Sequence, residues 1–474
     1  MSLTMTARRV ARHGWIAARV GHGRVASLVL GSLAATVALL LAAGAARAQG
    51  ASMPDLTRPL SLDEIVRLAT TRNLQVAQAR ESWKAARGGR TSAWAGLLPN
   101  LQGSVGYNRT TQKYGGPVIN TQTGQVYTGE TSDNYSLGLN GGMNLVDLPS
   151  IYSFRGAGQS LAAAGHDFDD AVQSIVLTVK QQYYAFTQSQ ELARVAQDSY
   201  TLRTEQQRRA ESLFQLGSVA KSDVLQAQVN LSTAEREKIG AENQIDQERA
   251  RLAMMLALPV DSRLEVEPPA PVDETAPMPT ESELGALAER RRPDLQRAAA
   301  ALEAARSSER AARFQRWPSL GGSYSYAKQN DNGVGQLFHN LDQDARWGFS
   351  IGLSQTIFDG LQTKGSIQQG TADRRAKEQA LAQQRLQAAL DIRESLLGLK
   401  NASEWIRSAR EGVSLAEESA RLQKALYEAG GGTLLEWNNA QVELTRAKVA
   451  VVEAEASYHM AEAALERAVG GPLR

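Results

Sequence analysis

The sequence contains no cysteine, which rules out a disulfide framework and any thiolate metal site. It also lacks a charge bias, with 52 Lys and Arg against 50 Asp and Glu. That balance leaves no electrostatic footprint for nucleic acid, and none is expected as a partner. Aromatic residues amount to only 6%, while Ala, Gln, Glu, Arg and Leu dominate the middle stretches. This bias points to long helices that bury small side chains against other helices. The five histidines, His13, His22, His166, His339 and His459, are scattered without metal-ligand spacing. No GxSxG, P-loop or paired-carboxylate pattern is present, so neither an enzyme nor a cofactor is expected.

Long apolar runs are missing too, except near the N-terminus. Arg8, Arg9, Arg12, Arg19 and Arg24 precede the apolar run from Ala26 to Gly44, and Ala46-Arg47-Ala48 closes it with small residues. This reads as a secretory signal peptide over residues 1–48, with an uncleaved anchor as the less favoured alternative. No cysteine follows, so no N-terminal lipid is expected. No later segment reaches the roughly 18 apolar residues of a membrane helix. Any membrane-spanning part of an exported chain like this would therefore be built from β-strands.

What the sequence does contain is a duplication. Leu98-Pro99-Asn100-Leu101-Gln102-Gly103-Ser104 aligns with Trp317-Pro318-Ser319-Leu320-Gly321-Gly322-Ser323. Leu225-Gln226-Ala227-Gln228-Val229-Asn230-Leu231 aligns with Asn438-Asn439-Ala440-Gln441-Val442-Glu443-Leu444. The expected organisation is a first repeat over 49–258, a Pro-rich connector over 259–280 and a second repeat over 281–474. Each repeat reads helix, strand, loop, strand, very long helix, turn, helix. Val172, Ile175, Val179, Tyr183 and Phe186 recur at spacings of three and four, as one buried helical face requires. The proline-free stretches Ser153–Phe214 and Leu361–Tyr427 predict helices about 90 Å long.

The predicted strands alternate in an unusual way. Between Tyr135 and Leu145 the odd positions are mostly large and apolar, and the even ones are Ser, Gly and Asn. Trp347–Ser354 repeats the pattern, as Leu101–Asn108 and Leu320–Tyr326 do more weakly. A soluble sheet would place charges on its solvent face. A face of small, uncharged residues instead fits a barrel wall with lipid outside and water inside. Thr110–Ser132 and Lys328–Asp344 read as exposed loops. Four strands cannot close a barrel alone, whereas three copies would supply twelve and leave an open lumen.

Together these features resemble the TolC-type family of outer-membrane export channels. The resemblance runs from about Leu60 to Gly470 and is carried by the duplication, by Pro99, Pro149 and Pro318 at strand–helix junctions, and by two interhelical tips. The tips are Phe214–Val224 and Tyr427–Glu436. The family fold is mainly α with transmembrane β: a trimeric twelve-stranded barrel on a long α-helical tunnel, in the outer membrane and reaching into the periplasm. The resemblance implies a homotrimer in outer-membrane lipid, a periplasmic adaptor (membrane fusion protein), an inner-membrane transporter, and an exported protein or small-molecule substrate. It places adaptor docking at Gly217, Ser218, Val219, Gly430, Gly431 and Gly432. It places the periplasmic gate at Asp223, Tyr427, Glu436 and Asn439, with Asp223 and Tyr427 hydrogen-bonded between helix pairs. The family's basic gate latch would fall at Gly432 and is absent.

Two other readings use the same residues. A periplasmic coiled-coil adaptor would also carry long helical hairpins, but one hairpin between soluble β-domains rather than a duplicated unit. Within the channel reading, the cargo is expected to be a protein toxin of a type I secretion system, with a small-molecule efflux pump as the alternative.

Overall fold

The computed structural model describes residues 58–119, 122, 124–272, 278–331, 333–339, 341, 345–429 and 431–473. The expected signal peptide, residues 1–48, lies outside the described residues. Among the described residues no helix is long and apolar enough to cross a membrane.

The chain runs α1 (Leu62–Arg72), α2 (Leu74–Ala95), β1 (Asn100–Ile119), β2 (Val126–Val146), α3 (Leu148–Gln215) and α4 (Lys221–Met255). After the connector the order recurs: α5 (Glu281–Arg291), α6 (Pro293–Arg313), β3 (Ser319–Asn330), the short loop helix α7 (Val334–Leu337), β4 (Ala345–Ser354), α8 (Gln362–Glu428) and α9 (Leu434–Val469). Helices α3 and α8, of 68 and 67 residues, are each about 100 Å long at 1.5 Å per residue. Each folds back on its successor, α4 or α9, in an antiparallel hairpin. α2 and α6 both pack against α3. Many of the buried positions along these hairpins are alanines, among them Ala227, Ala234, Ala402, Ala409, Ala440 and Ala454. Small side chains let the helix axes approach closely without a thick apolar core. Ile175, Val179, Tyr183 and Phe186 of the expected heptad face are all buried, while Val172 is half-buried.

The duplication extends to individual hydrogen bonds. The break between α1 and α2 falls at Asn73, whose side chain accepts from Gln75 N at 2.8 Å and donates to Met255 O at 2.9 Å. The equivalent break between α5 and α6 falls at Arg292, which donates to Ala468 O at 3.1 Å. Met255 and Ala468 are themselves repeat partners. Arg292 is 4% exposed and forms a two-pronged ion pair with Asp294 (3.0 and 2.7 Å), with a further bond to Asp391 at 2.8 Å. Burial alone would push the Asp294 carboxyl up. The bonds from Arg292 outweigh it and hold the group below the usual carboxylate range. A second core patch joins Leu284, Ala288, Ile392, Leu399, Leu465 and Val469 where α5 lies across α8 and α9.

The four strands form one antiparallel sheet in the order β1-β2-β3-β4. The first hairpin is much longer than the second, 20 and 21 residues against 12 and 10. The expected loop over Thr110–Ser132 is largely strand: β1 continues to Ile119 and β2 begins at Val126. Thr, Tyr and Val there favour extended backbone, and the two polar segments pair with each other. The register slips between Lys113 and Val118 around Gly115-Gly116-Pro117. Proline is tolerated there because β1 is an edge strand.

Two outcomes check this packing. Arg292→Met is expected to cost about 3–5 kcal/mol by stranding buried Asp294. Because the folded carboxyl titrates below its unfolded value, the Asp294 contribution is present above about pH 4 and is lost as pH falls through the folded pKa. Acid unfolding followed by circular dichroism tests both. Ala257 and Gly470 are repeat partners that both hold a left-handed backbone, φ +53° and +90°. Ala257→Gly should stabilise the chain by up to about 1 kcal/mol. Gly470→Ala should cost more than about 2 kcal/mol, since its Cβ would lie 2.7 Å from Arg291 C. Thermal unfolding midpoints measure the pair.

Candidate functional site

The paired register sorts the alternation of all four strands onto common faces. Opposed across the sheet are Val105 with Leu137, Tyr107 with Tyr135, Leu139 with Tyr326, and Tyr326 with Trp347. Tyr324 opposes Phe349, and Leu320 opposes Leu353. The other face carries Ser104 against Gly138, Gly106 against Ser136, Gly142 against Ser323, and Gly321 against Gly352. In one chain this apolar face is open along β4, with Trp347 74% exposed and Ile351 59%. Over β2 and β3 it is partly covered by α7, whose Leu337 is fully buried, and by the Tyr326 hydroxyl bond to Leu341 O. The apolar pattern ends outward at the Tyr107–Tyr135 ring pair, centroids 4.9 Å apart. Beyond it Arg109, Asp133, Thr111 and Thr131 take over, and Tyr107 donates to Asp133 at 2.9 Å. Exposed Trp94, Trp317 and Phe358 mark the other boundary, where strands meet helices. The nine steps from Trp317 to Tyr326, at about 3.3 Å each and the tilt of an outer-membrane barrel, rise about 22 Å. That matches the apolar band of such barrels, flanked by aromatic rings.

At the far end of the hairpins lie the two tips. α3 closes with Gly217 at φ +73°, its N–H donating to Phe214 O and that of Ser218 to Leu213 O, both at 2.9 Å. This is a Schellman cap, and it explains the glycine. At the end of α8, Gly431 N donates to Leu426 O at 2.9 Å. Gly430 lies outside the described residues. Gly217 and Ser218 are exposed, Val219 and Gly432 are half-buried, and Leu216 and Leu435 project into solvent beside them.

Asp223 and Glu436 occupy the same place in the two repeats, the third residue of α4 and of α9. Their environments differ because the residue before each helix differs. Thr433 builds a full capping box: its N–H and hydroxyl both donate to Glu436 Oε2 at 2.9 Å, and its hydroxyl accepts from Glu436 N at 3.2 Å. These bonds hold the Glu436 carboxyl below its ordinary value. Ala220 offers no hydroxyl, so Asp223 has no such partner. Glu436 is thus a backbone cap as well as an acid at the tip, a role the sequence reading did not assign. Asn439 is exposed one turn further along α9. Tyr427 stacks on Trp437, centroids 5.2 Å apart. Within one chain no bond joins Tyr427 to Asp223 among the described residues, so the expected carboxylate–phenol link is not an intrachain contact.

What ties the two hairpins together is a set of residues the sequence reading passed over. Arg203 on α3, 8% exposed, donates to Gln206 Oε1 and to Asn438 Oδ1 on α9, both at 2.9 Å. Burial pushes its guanidinium down from the usual arginine value. Arg209 pairs with Glu428 at 3.1 Å, joining the end of α3 to that of α8. The available signal was asymmetry: the repeat partners of Arg203, Gln206 and Arg209 are Ala416, Ser419 and Leu422.

A sheet apolar on one face and small-residue on the other, standing on helical hairpins about 100 Å long, defines an outer-membrane channel protein rather than an enzyme. The chain belongs to the outer membrane efflux protein family, whose pattern matches residues 65–258 and 284–471. It is similar to nodulation protein T of Rhizobium leguminosarum bv. trifolii, 25% identical over 415 residues covering 86% of this chain and 85% of that one. It is equally similar to the pyoverdine export outer membrane protein OpmQ of Pseudomonas aeruginosa, 25% identical over 423 residues with the same coverage. Among solved structures its fold matches the Campylobacter jejuni CmeC outer membrane channel at TM-score 0.75, with 19% identity over 86% of this chain and 85% of that one.

The face assignment has a direct check. Ile351→Arg places a charge toward hydrocarbon and is expected to cost about 2–4 kcal/mol near the midplane. Gly352→Arg, on the small-residue face with open space around it, should assemble close to normally. Yield of folded protein in outer-membrane fractions compares the two.

Proposed function

We propose that three copies of this chain close a twelve-stranded barrel and form the exit duct of a tripartite export system. The observation that carries this is the open sheet. Its apolar face is largely open and its edges, β1 and β4, lack partners within the chain. Hydrocarbon tolerates neither unpaired backbone nor a sheet edge. Four strands fall short of the roughly eight that a closed barrel needs, and twelve leave a lumen. The hairpins then extend the duct into the periplasm. Their tips, with Gly217, Ser218, Val219, Gly430, Gly431 and Gly432 at the turns and exposed Leu216 and Leu435 beside them, dock an adaptor bound to an inner-membrane transporter. The purified protein should run as a heat-modifiable trimer in detergent. A monodisperse monomer that keeps its β-signal would overturn the reading.

The cargo we assign is a small molecule. OpmQ is named for pyoverdine export, and this supports a small molecule over the protein cargo toward which the sequence alone leaned. A type I protein cargo remains the second reading, and the transporter encoded beside this chain discriminates between them.

At the closed end we assign Asp223, Tyr427, Glu436 and Asn439 to the gate. Three copies of Glu436 about the threefold axis make a carboxylate ring that excludes anions and holds cations. Divalent or trivalent cations should block the reconstituted channel from the tip side, less strongly as salt rises. Glu436→Gln should relieve the block while keeping an acceptor for Thr433. Block unchanged in that variant would leave Glu436 with its capping role alone. Gly432 carries no basic latch, and a Cβ there would already press on Leu426 at 3.2 Å.

A further inference from the structure

A small cavity of about 20 Å³ lies where the two hairpins meet, just inside the tips. Gln206 and Arg209 of α3, Asn230 of α4, Tyr427 of α8, and Trp437 and Asn438 of α9 supply its polar lining. Two of these groups are orphans. Trp437 is 96% buried on the complement of its 4% exposure, and its indole N–H has no partner. Gln206 Nε2 is likewise buried without one. An unpaired donor in a dry interior is costly, and nearly all such groups have a partner.

The neighbouring hydrogen bonds define what that partner is. Gln206 Oε1 and Asn438 Oδ1 both accept from Arg203, and Asn230 Oδ1 accepts from Gln226 at 3.0 Å. All three amides therefore have their oxygen engaged and their NH₂ end uncommitted to those bonds. Trp437 can only donate, and so can Arg209. No carboxylate lines the cavity. Arg203 stands behind it as a buried cation with no carboxylate at ion-pair distance among the described residues, Glu237 on α4 being the acid whose charge reaches it. A water here would accept two bonds and could turn its own protons only to the Tyr427 phenol oxygen or to amide oxygens that already accept. An anion needs no acceptor at all, and the volume accommodates one particle of water or chloride size.

We propose that this junction is a binding site for a single monovalent anion of chloride size, held by Trp437 Nε1–H and Gln206 Nε2–H beside the buried guanidinium of Arg203. The bound ion bridges α3 to α9 and thereby one hairpin to the other. Its further consequence, that halide stiffens the closed end, rests on the gate placement above. The binding itself does not.

The test uses bromide and the full-length protein. Crystals grown in sodium bromide should show an anomalous peak between Trp437 and Gln206. In solution the unfolding midpoint should rise when gluconate is replaced by chloride at constant ionic strength. Gln206→Glu puts an acceptor and a negative charge where the donor stood and should abolish that rise. Trp437→Phe keeps the ring, loses the N–H, and should weaken halide binding by about tenfold or more. A cavity holding only water in the bromide crystals would overturn the proposal. So would a chloride-dependent rise that persists unchanged in Gln206→Glu. Neither readout depends on channel activity, so failure here leaves the duct reading intact.

Discussion

The structure depends on an incomplete sheet. The apolar face of the β1–β4 sheet is largely open, covered only where α7 lies over β2 and β3, and the sheet has two edges with no partner in the chain. In water this would be an aggregation surface. In lipid the open face is the correct outside, and only the edges still need satisfying. The proposed threefold closure meets that need, and the requirement explains the rest of the fold. The helices beneath must also fit side by side around the axis. Long hairpins with alanine at their seams can do so, whereas a compact globular core could not.

Duplication supplies most of this architecture, and departures from it supply the specialised parts. The helix breaks at Asn73 and Arg292 share a geometry, but only the second carries a buried ion pair. Gly470 and Ala257 share a left-handed backbone, although only one has the residue suited to it. At the tips, Thr433 in place of Ala220 turns Glu436 inward onto its own backbone and leaves Asp223 uncapped. A perfectly repeated chain would have six equivalent hairpins in the proposed threefold assembly. This one has two kinds, and the junction around Arg203 and Trp437 exists because they differ.

Several features are legible in the sequence alone. The period-two alternation located all four strands, the absence of proline located the long helices, and glycine located the turns. Each of these signals is local. The polar extension of β1 and β2 beyond Tyr107 and Tyr135 was not legible, because a loop-like composition can still pair when two such segments are held in register. The breaks at Asn73 and Arg292 were also missed. Their side chains are satisfied by carbonyls roughly 180 residues away along the chain, Met255 and Ala468.

By itself the sequence determined the class of this protein: exported, duplicated, strand-spanning and built on long helices. Those properties follow from composition, period and local stereochemistry, which a linear chain displays directly. Only the tertiary structure decided which face of each strand meets which, that Glu436 caps its own helix, and that Trp437 and Gln206 share a cavity of donors. Those outcomes depend on groups brought together from four helices and four strands, and no spacing along the chain encodes where a side chain's partner will stand.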